Sequence, residues 1–378
     1  MPQTTTPGTR VISVDLARAL AVILMVQGHT LNVLLAPAHR ETAAFDAWLF
    51  VRGLTSCLFL FLAGFAFTLA TTRHWEVFLR PSARFWRRMR KFAFFLLLGY
   101  ALHFPVYHVG DFHFLGEDGW RGFLQVDVLQ SIAITLIGLQ LLVLVARTPR
   151  RFAALAAAGS ASIVLLTPFV WPFPWADFLP LTLAAYLGAA TGSPFPLFPW
   201  AAYVLAGAGL GYVYGARQQA AGALPFSAIL LRLGALVGFT GMLLESLPFT
   251  LYDNINFWKT SPNLFLIRLG CVLVVLAAIF ALGPFLRQLP RMVSSLAQES
   301  LTVYAVHVCV LYGSIWNLGL AQRIGPRLGY AETLGWIALL MVSMSLLAWG
   351  WSWSKKNQPP RSRVARAAIA LALVYRLL

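Results

Sequence analysis

Residues 11–35 read VISVDLARALAVILMVQGHTLNVLL, and this stretch decides the fold. The run is apolar and longer than the about 20 residues that a helix needs to cross a bilayer. It nevertheless contains Asp15, Arg18 and His29, although a charge near the bilayer centre costs roughly 2.5–3.5 kcal/mol on insertion scales. Because lipid cannot satisfy such groups, one side of this helix must face protein or water.

The whole chain has the composition of an integral membrane protein. Of its 378 residues, 59% are hydrophobic and 11% are charged, and the mean hydropathy is +0.73, whereas soluble domains are usually about 25% charged. Apolar runs separated by short polar joints predict an all-α polytopic helix bundle with about ten transmembrane helices. The predicted spans lie near residues 11–36, 48–71, 88–108, 122–146, 152–170, 198–216, 226–247, 263–283, 298–318 and 331–353.

One further apolar stretch and the C-terminal residues complete the predicted organisation. Residues 179–192, LPLTLAAYLGAATG, lie between proline-rich segments and are too short to span untilted. They form either a re-entrant or interfacial piece or an eleventh helix. We expect residues 1–354 to form a single transmembrane domain, and residues 355–378 to form a basic cytoplasmic tail with a short amphipathic helix.

Basic residues indicate the orientation in the membrane. The formal net charge is +16, and basic residues cluster in the joints 73–91 and 147–151 and in the tail. With ten spans these three segments share a side with the N-terminus, and the positive-inside rule makes that side cytoplasmic. Both termini are therefore predicted to be cytoplasmic, and the location to be a bacterial cytoplasmic (inner) membrane. Lipid phosphate is the expected partner of these residues, and nucleic acid is not.

Polar side chains repeat along one face of the first helix. Arg18 and His29 are eleven residues apart, which returns them to nearly the same face and separates them by roughly 16 Å along the axis. Asn32 extends this stripe, and Asp15 has the spacing to pair with Arg18. The alternative is an interface anchor made by Asp15 and Arg18, with His29 a capped residue near the outer surface. Because Arg18, His29 and Asn32 share one face of the helix, we favour the interpretation that this face lines a functional path through the membrane.

Later spans also carry polar residues that lipid does not solvate. Asp127 lies just inside a predicted span and is a functional candidate by default, while Tyr304 and His307 share a face of the ninth span. A buried histidine bonded to a tyrosine is also an ordinary structural feature. Arg52 and Arg268 are interpreted first as snorkelling side chains. Two residues join the candidates for a polar interior, His103 and Gln130.

The sequence lacks motifs for metal or nucleotide chemistry. It has no HExxH, no paired-cysteine motif, no Walker-type glycine loop and no GxSxG. Its three cysteines fall singly in apolar spans, without metal-ligand spacing. We therefore expect no metal cofactor.

Several segments, taken in order, resemble the transmembrane acyltransferase superfamily. This group includes the acyltransferase-3 proteins that O-acylate sugars and the catalytic domain of heparan-alpha-glucosaminide N-acetyltransferase. The matching segments are the first-helix R-x10-H run RALAVILMVQGH (18–29), the Phe-rich LFLFLAGFAF (58–67), FLQVDVLQSIAITLI (123–137), FPWAAYVLAGAGLGYVYG (198–215) and SLTVYAVH (300–307). The third segment is similar to the family's "vLQRi" helix, with Ser131 where arginine is usual.

The resemblance implies an acyl-CoA-dependent acyltransferase, most simply one that uses acetyl-CoA. Acyl-CoA would bind from the cytoplasm, and the acyl group would pass to an amine or hydroxyl of a sugar or glycan on the opposite side. His29 is then the general base or, less simply, an acyl carrier. His39 is a rival, because the heparan branch places its catalytic histidine in the loop after the first helix. We favour His29, which has a defined helical face.

The remaining candidates receive roles by the same resemblance. Asp15 is grouped with the catalytic histidines as an orienting residue. The donor would be held by Arg18, Arg52, Arg87 and Arg88, and the tunnel or acceptor site would be lined by Asn32, His103, Asp127, Gln130, Tyr304 and His307. The alternative function is a transporter or flippase for a glycolipid or small solute along the same polar path. Homo-oligomerisation is left open.

Overall fold

The computed structural model describes residues 11–218, 225–248, 252, 255–286, 288–360 and 364. Over these residues the protein is helical, with two isolated β-bridges and no strand, which confirms the all-α prediction. The helices of thirteen or more residues are α1 (Ile12–Leu34), α2 (Ala43–Thr72), α3 (Ala83–Leu102), α4 (Val128–Ala146), α5 (Pro149–Val170), α6 (Leu197–Arg217), α7 (Phe226–Glu245), α8 (Pro262–Leu282), α9 (Ser300–Tyr312) and α10 (Tyr330–Asn357).

Eight of these helices are long and apolar enough to cross a membrane: all except α3 and α9. The helix α3 has 20 residues, but its first half carries five basic side chains, and α9 is apolar but only 13 residues long. The prediction of a polytopic membrane bundle is confirmed. The described residues contain eight helices that could span a membrane, whereas the sequence suggested about ten.

The stretch 179–192 is broken. It contains a one-turn helix, Leu181–Ala184, and a 3-10 turn, Ala189–Thr191, which ends at Gly192 with a φ of 93°. Because this left-handed conformation suits glycine, the chain turns there instead of continuing a helix. The eleventh-helix alternative is therefore wrong. The amphipathic helix predicted for the tail falls on residues outside those described, apart from the end of α10.

Packing divides the chain into two compact units, the first with residues 1–52 and 276–377 and the second with residues 53–275. In the first unit α1 packs against α9, α10 and the short helix Arg291–Gln298. Small buried residues, including Ala17 and Ala21, allow this close packing. Glu299, between the short helix and α9, is buried, and its carboxylate accepts a hydrogen bond from Nζ of Lys355 at 2.6 Å.

In the second unit two helices meet backbone to backbone. A Cβ at Gly64 of α2 would lie 1.8 Å from the carbonyl oxygen of Val204, and a Cβ at Gly207 of α6 would lie 2.0 Å from that of Phe61. No side chain fits at such distances. Small residues in membrane helices commonly make this kind of contact, so these glycines hold α2 against α6.

Candidate active site

Two histidines face each other in the first unit. His29 lies near the C-terminal end of α1, and His307 of α9 is fully buried. Nδ1 of His29 is 3.1 Å from Nε2 of His307, and the ring centroids are 5.1 Å apart. The sequence selected each residue separately, but 278 positions separate them, and no local pattern indicates that they touch.

Hydrogen bonding assigns the protons of this histidine pair. Nδ1 of His307 lies 2.9 Å from the carbonyl oxygen of Val303. A carbonyl only accepts, so this nitrogen donates, and Nε2 of a neutral His307 is an acceptor. Nδ1 of His29 therefore donates to Nε2 of His307. Nε2 of His29 keeps its lone pair, and no hydrogen bond to it occurs within the described part of the chain.

A cation and an aromatic ring lie beside the histidine pair. Nη1 of Arg52 donates to Oδ1 of Asn32 at 3.1 Å, so Arg52 is tied to the polar stripe of α1. Its Cγ lies 3.3 Å from where a Cβ at Gly28 would stand, and Gly28 therefore gives the arginine room to cross α1 next to His29. The ring of Tyr312 meets that of His29 edge-on, with centroids 5.8 Å apart.

The other end of α1 carries the pair that the spacing predicts. Nη1 of Arg18 is 3.3 Å from Oδ1 of Asp15. Asp15 lies fourteen residues before His29, which is roughly 21 Å along a helix. Asp15 therefore contacts Arg18 and does not reach the histidine pair, and its assignment as an orienting residue stays a prediction.

His39, the rival base, has a different setting. It ends the 3-10 turn Pro37–His39, its carbonyl oxygen accepts a hydrogen bond from the hydroxyl of Tyr330 at 2.6 Å, and the two rings lie 5.2 Å apart. Among the described residues, no hydrogen bond orients a ring nitrogen of His39 as His307 orients His29. This loop histidine is anchored to the start of α10.

Three of the predicted tunnel residues lie in the second unit. His103 ends α3, with its Nε2 3.8 Å from Oδ2 of Asp127. Asp127 is the N-cap of α4 and accepts from the amide of Val128 at 2.7 Å, so it precedes the helix and does not lie inside it as predicted. Gln130 is fully buried, and its Oε1 has no hydrogen-bond partner among the described residues.

The two adjacent arginines of α3 differ in their surroundings. Nη1 of Arg88 donates to Oγ1 of Thr71 at 2.8 Å and to Oε1 of the buried Gln140 at 3.1 Å, and its guanidinium lies 3.6 Å from the ring centroid of Phe78. Arg87 is exposed. The side chain of Arg88 therefore joins α2 to α4, and its assignment to the donor stays a prediction.

Replacing Arg88 by methionine should lower the free energy of unfolding by about 1–3 kcal/mol, since it leaves a buried amide without its donor. The matched change Arg87→Met should leave it within about 0.5 kcal/mol, as exposed substitutions usually do. Thermal unfolding of both purified variants in detergent measures the difference. Equal midpoints would contradict the structural role of Arg88.

The histidine pair is suited to proton transfer. A neutral imidazole whose Nδ1 proton is held by an acceptor presents Nε2 as a base, as in other oriented histidines. A neighbouring guanidinium can stabilise negative charge that develops on a substrate oxygen. Three or more histidine, cysteine or carboxylate groups that could hold a metal are not found together in the described ranges.

A curated protein is similar to part of this chain. It is the riboflavin transporter of Rhizobium johnstonii (strain DSM 114642 / LMG 32736 / 3841), which is 29% identical over 162 residues, corresponding to 37% of this chain and 54% of that protein. The chain thus matches about half the length of this relative.

The profile of the family described as heparan-alpha-glucosaminide N-acetyltransferase, catalytic, matches residues 10–242. This range is more than half of the chain. It includes His29, His39 and Arg52, whereas His307 lies beyond its end. The chain belongs to the family of the heparan-alpha-glucosaminide N-acetyltransferase catalytic domain.

Proposed function

We propose that this protein transfers an acetyl group from acetyl-CoA to an amine or hydroxyl of a sugar, with His29 as general base. The observation that carries the proposal is the hydrogen bond from Nδ1 of His29 to Nε2 of His307, at 3.1 Å. It leaves Nε2 of His29 unprotonated and directed away from its partner. Family membership supports transferase chemistry over other uses of such a base.

The proposed reaction uses three side chains. Nε2 of His29 takes the proton from the acceptor's amine or hydroxyl as that atom attacks the thioester carbonyl. His307 keeps the imidazole of His29 in the reactive tautomer, and Arg52 stabilises the oxyanion of the tetrahedral intermediate. When the C–S bond breaks, His29 returns the proton to the leaving thiolate. The products are free CoA and the acetylated acceptor, and the base is regenerated.

Charge distribution supports a cytoplasmic donor and an acceptor on the opposite side. The exposed Arg87 and the basic joints 73–91 and 147–151 offer cations for the phosphates of CoA. Arg18 lies roughly 16 Å from His29 along α1, which is comparable to a pantetheine arm. By the positive-inside rule the His29 end of α1 then faces outward, and the proposed location is a bacterial inner membrane.

The test is the glycan composition of cells with and without the gene. Mass spectrometry of their envelope glycans should reveal one species that loses an acetyl group in the deletion strain and regains it on complementation. Complementation with His29→Gln is the matched control and should not restore it. Unchanged glycan masses, together with no equilibrium binding of CoA to the purified protein, would contradict the proposal.

Solute transport is a second candidate, because the riboflavin transporter of Rhizobium johnstonii is similar to 37% of this chain. Proteoliposomes that contain the purified protein discriminate between the two functions. Uptake of labelled riboflavin without acetyl-CoA, and with no acetylated product, would favour transport. Acetyl transfer without riboflavin uptake would favour the proposed enzyme.

A further inference from the structure

Asn32 contacts two arginines at the C-terminal end of α1. Nη1 of Arg52 donates to its side-chain Oδ1 at 3.1 Å, and Nη2 of Arg40 donates to its main-chain carbonyl oxygen at 2.9 Å. None of the ion pairs found among the described residues includes Arg40 or Arg52. Two cations bound to one residue repel each other, so the hydrogen bond to Oδ1 holds Arg52 in place against that repulsion.

Three neighbours set the position of the Arg52 side chain. Gly28 leaves room for its stem, since a Cβ there would stand 3.3 Å from Cγ. The ring centroid of Trp48, four residues earlier in α2, lies 5.7 Å from Cζ of Arg52. Of the three, only Asn32 makes a hydrogen bond, and hydrogen bonds depend on direction. Asn32 therefore sets the direction in which Nη1 points.

The contact lies beside the proposed base and involves an uncharged acceptor. Asn32 follows His29 by three residues, so the two side chains are neighbours on one face of α1. A guanidinium only donates, and the atom that faces it must therefore be the amide oxygen of Asn32. A carboxylate in the same place would also accept from Arg52, but its negative charge would offset the positive charge of the guanidinium.

We infer that Asn32 is a positioning residue, which holds Arg52 beside His29 and leaves its positive charge available to the oxyanion. The inference rests on the proposed acetyl transfer, in which Arg52 stabilises the tetrahedral intermediate. It gives Asn32 a role that is exerted through Arg52 and needs no contact with the acceptor.

A double-mutant cycle in the full-length purified protein tests this inference. Asn32→Leu removes the acceptor and should lower kcat on the order of 10–100-fold with little change in KM, because a misplaced group loses transition-state stabilisation. In an Arg52→Met background the same change should alter kcat by less than about twofold, since no guanidinium is left to position. Gln27→Leu, the matched control, removes another half-buried amide of α1 and should leave kcat within about twofold.

Asn32→Asp separates this positioning role from a merely structural one. Aspartate has the shape of asparagine and can accept from Arg52, but it offsets the charge, so kcat should stay at least about tenfold below the wild-type value. All rates are measured per CoA-binding site, so that misfolded protein does not count.

Two results would overturn the inference and leave the proposed function standing, in a wild-type protein that transfers acetyl. One is wild-type kcat in Asn32→Asp. The other is an equal loss from Asn32→Leu with and without Arg52→Met. No acetyl transfer by the wild type would overturn both the proposed function and this inference.

Discussion

The His29→Gln protein should lose acetyl transfer, with kcat reduced by about 10²–10⁴-fold, the range that general-base catalysis supplies. Glutamine has no basic nitrogen to take the acceptor's proton. Its amide can still donate a hydrogen bond to Nε2 of His307, so the packing of α1 against α9 should be retained. The measurement is the steady-state rate of acetylated product formed by the purified protein, with CoA binding measured in parallel.

His39→Gln is the matched control for this experiment. The carbonyl oxygen of His39 accepts the hydrogen bond from Tyr330, and that contact survives the change of side chain. We expect wild-type turnover within about twofold, as for a surface substitution away from the reaction. Loss of activity in His39→Gln alone would transfer the catalytic role to the loop and leave the His29–His307 pair a structural feature.

The His307→Leu protein should show a second large loss, on the order of 10²-fold in kcat with little change in KM. Leucine removes the acceptor for the Nδ1 proton of His29, and the imidazole can then adopt the other tautomer or turn away. Loss of the correct tautomer is known to be severe in enzymes that rely on an oriented histidine. His307 is a positioning residue, since it acts through His29.

The conservative change His307→Gln separates positioning from packing. A glutamine amide oxygen can accept the hydrogen bond that Nε2 of His307 accepts now, so it should recover most of the kcat lost in His307→Leu. A structural role alone would give the same activity and a similarly lowered unfolding midpoint in both variants. Full activity of His307→Leu would show that His29 needs no partner.

Local features of the fold could be predicted from the sequence because they depend on local physics. Apolar runs located the membrane helices, since length and hydropathy alone decide whether a segment can span a bilayer. The spacing of Asp15 and Arg18 predicted their ion pair. The break at 179–192 was only one of two alternatives, because a short apolar run does not reveal how proline and glycine bend it.

The arrangement of the candidate site could not be predicted in the same way. Nothing near His29 in sequence indicates that His307 accepts its proton, because that contact depends on how α1 and α9 pack. The resemblance assigns Arg88 to the donor, and nothing near it in sequence indicates that its side chain contacts Thr71 and Gln140. Nothing near Arg268 in sequence indicates that its guanidinium lies against Gly53 of α2, where an added Cβ would stand 2.9 Å from Nη2.

The glycine contact between α2 and α6 changes how two of the family-like motifs are understood. Gly64 belongs to the Phe-rich segment and Gly207 to the segment that begins Phe-Pro-Trp, yet each occupies the space above the other helix's backbone. The two motifs therefore form the two sides of a single helix–helix contact. Their presence in a distant sequence is evidence of shared helix packing. A search for relatives that share the chemistry should instead require histidines at the positions of both His29 and His307.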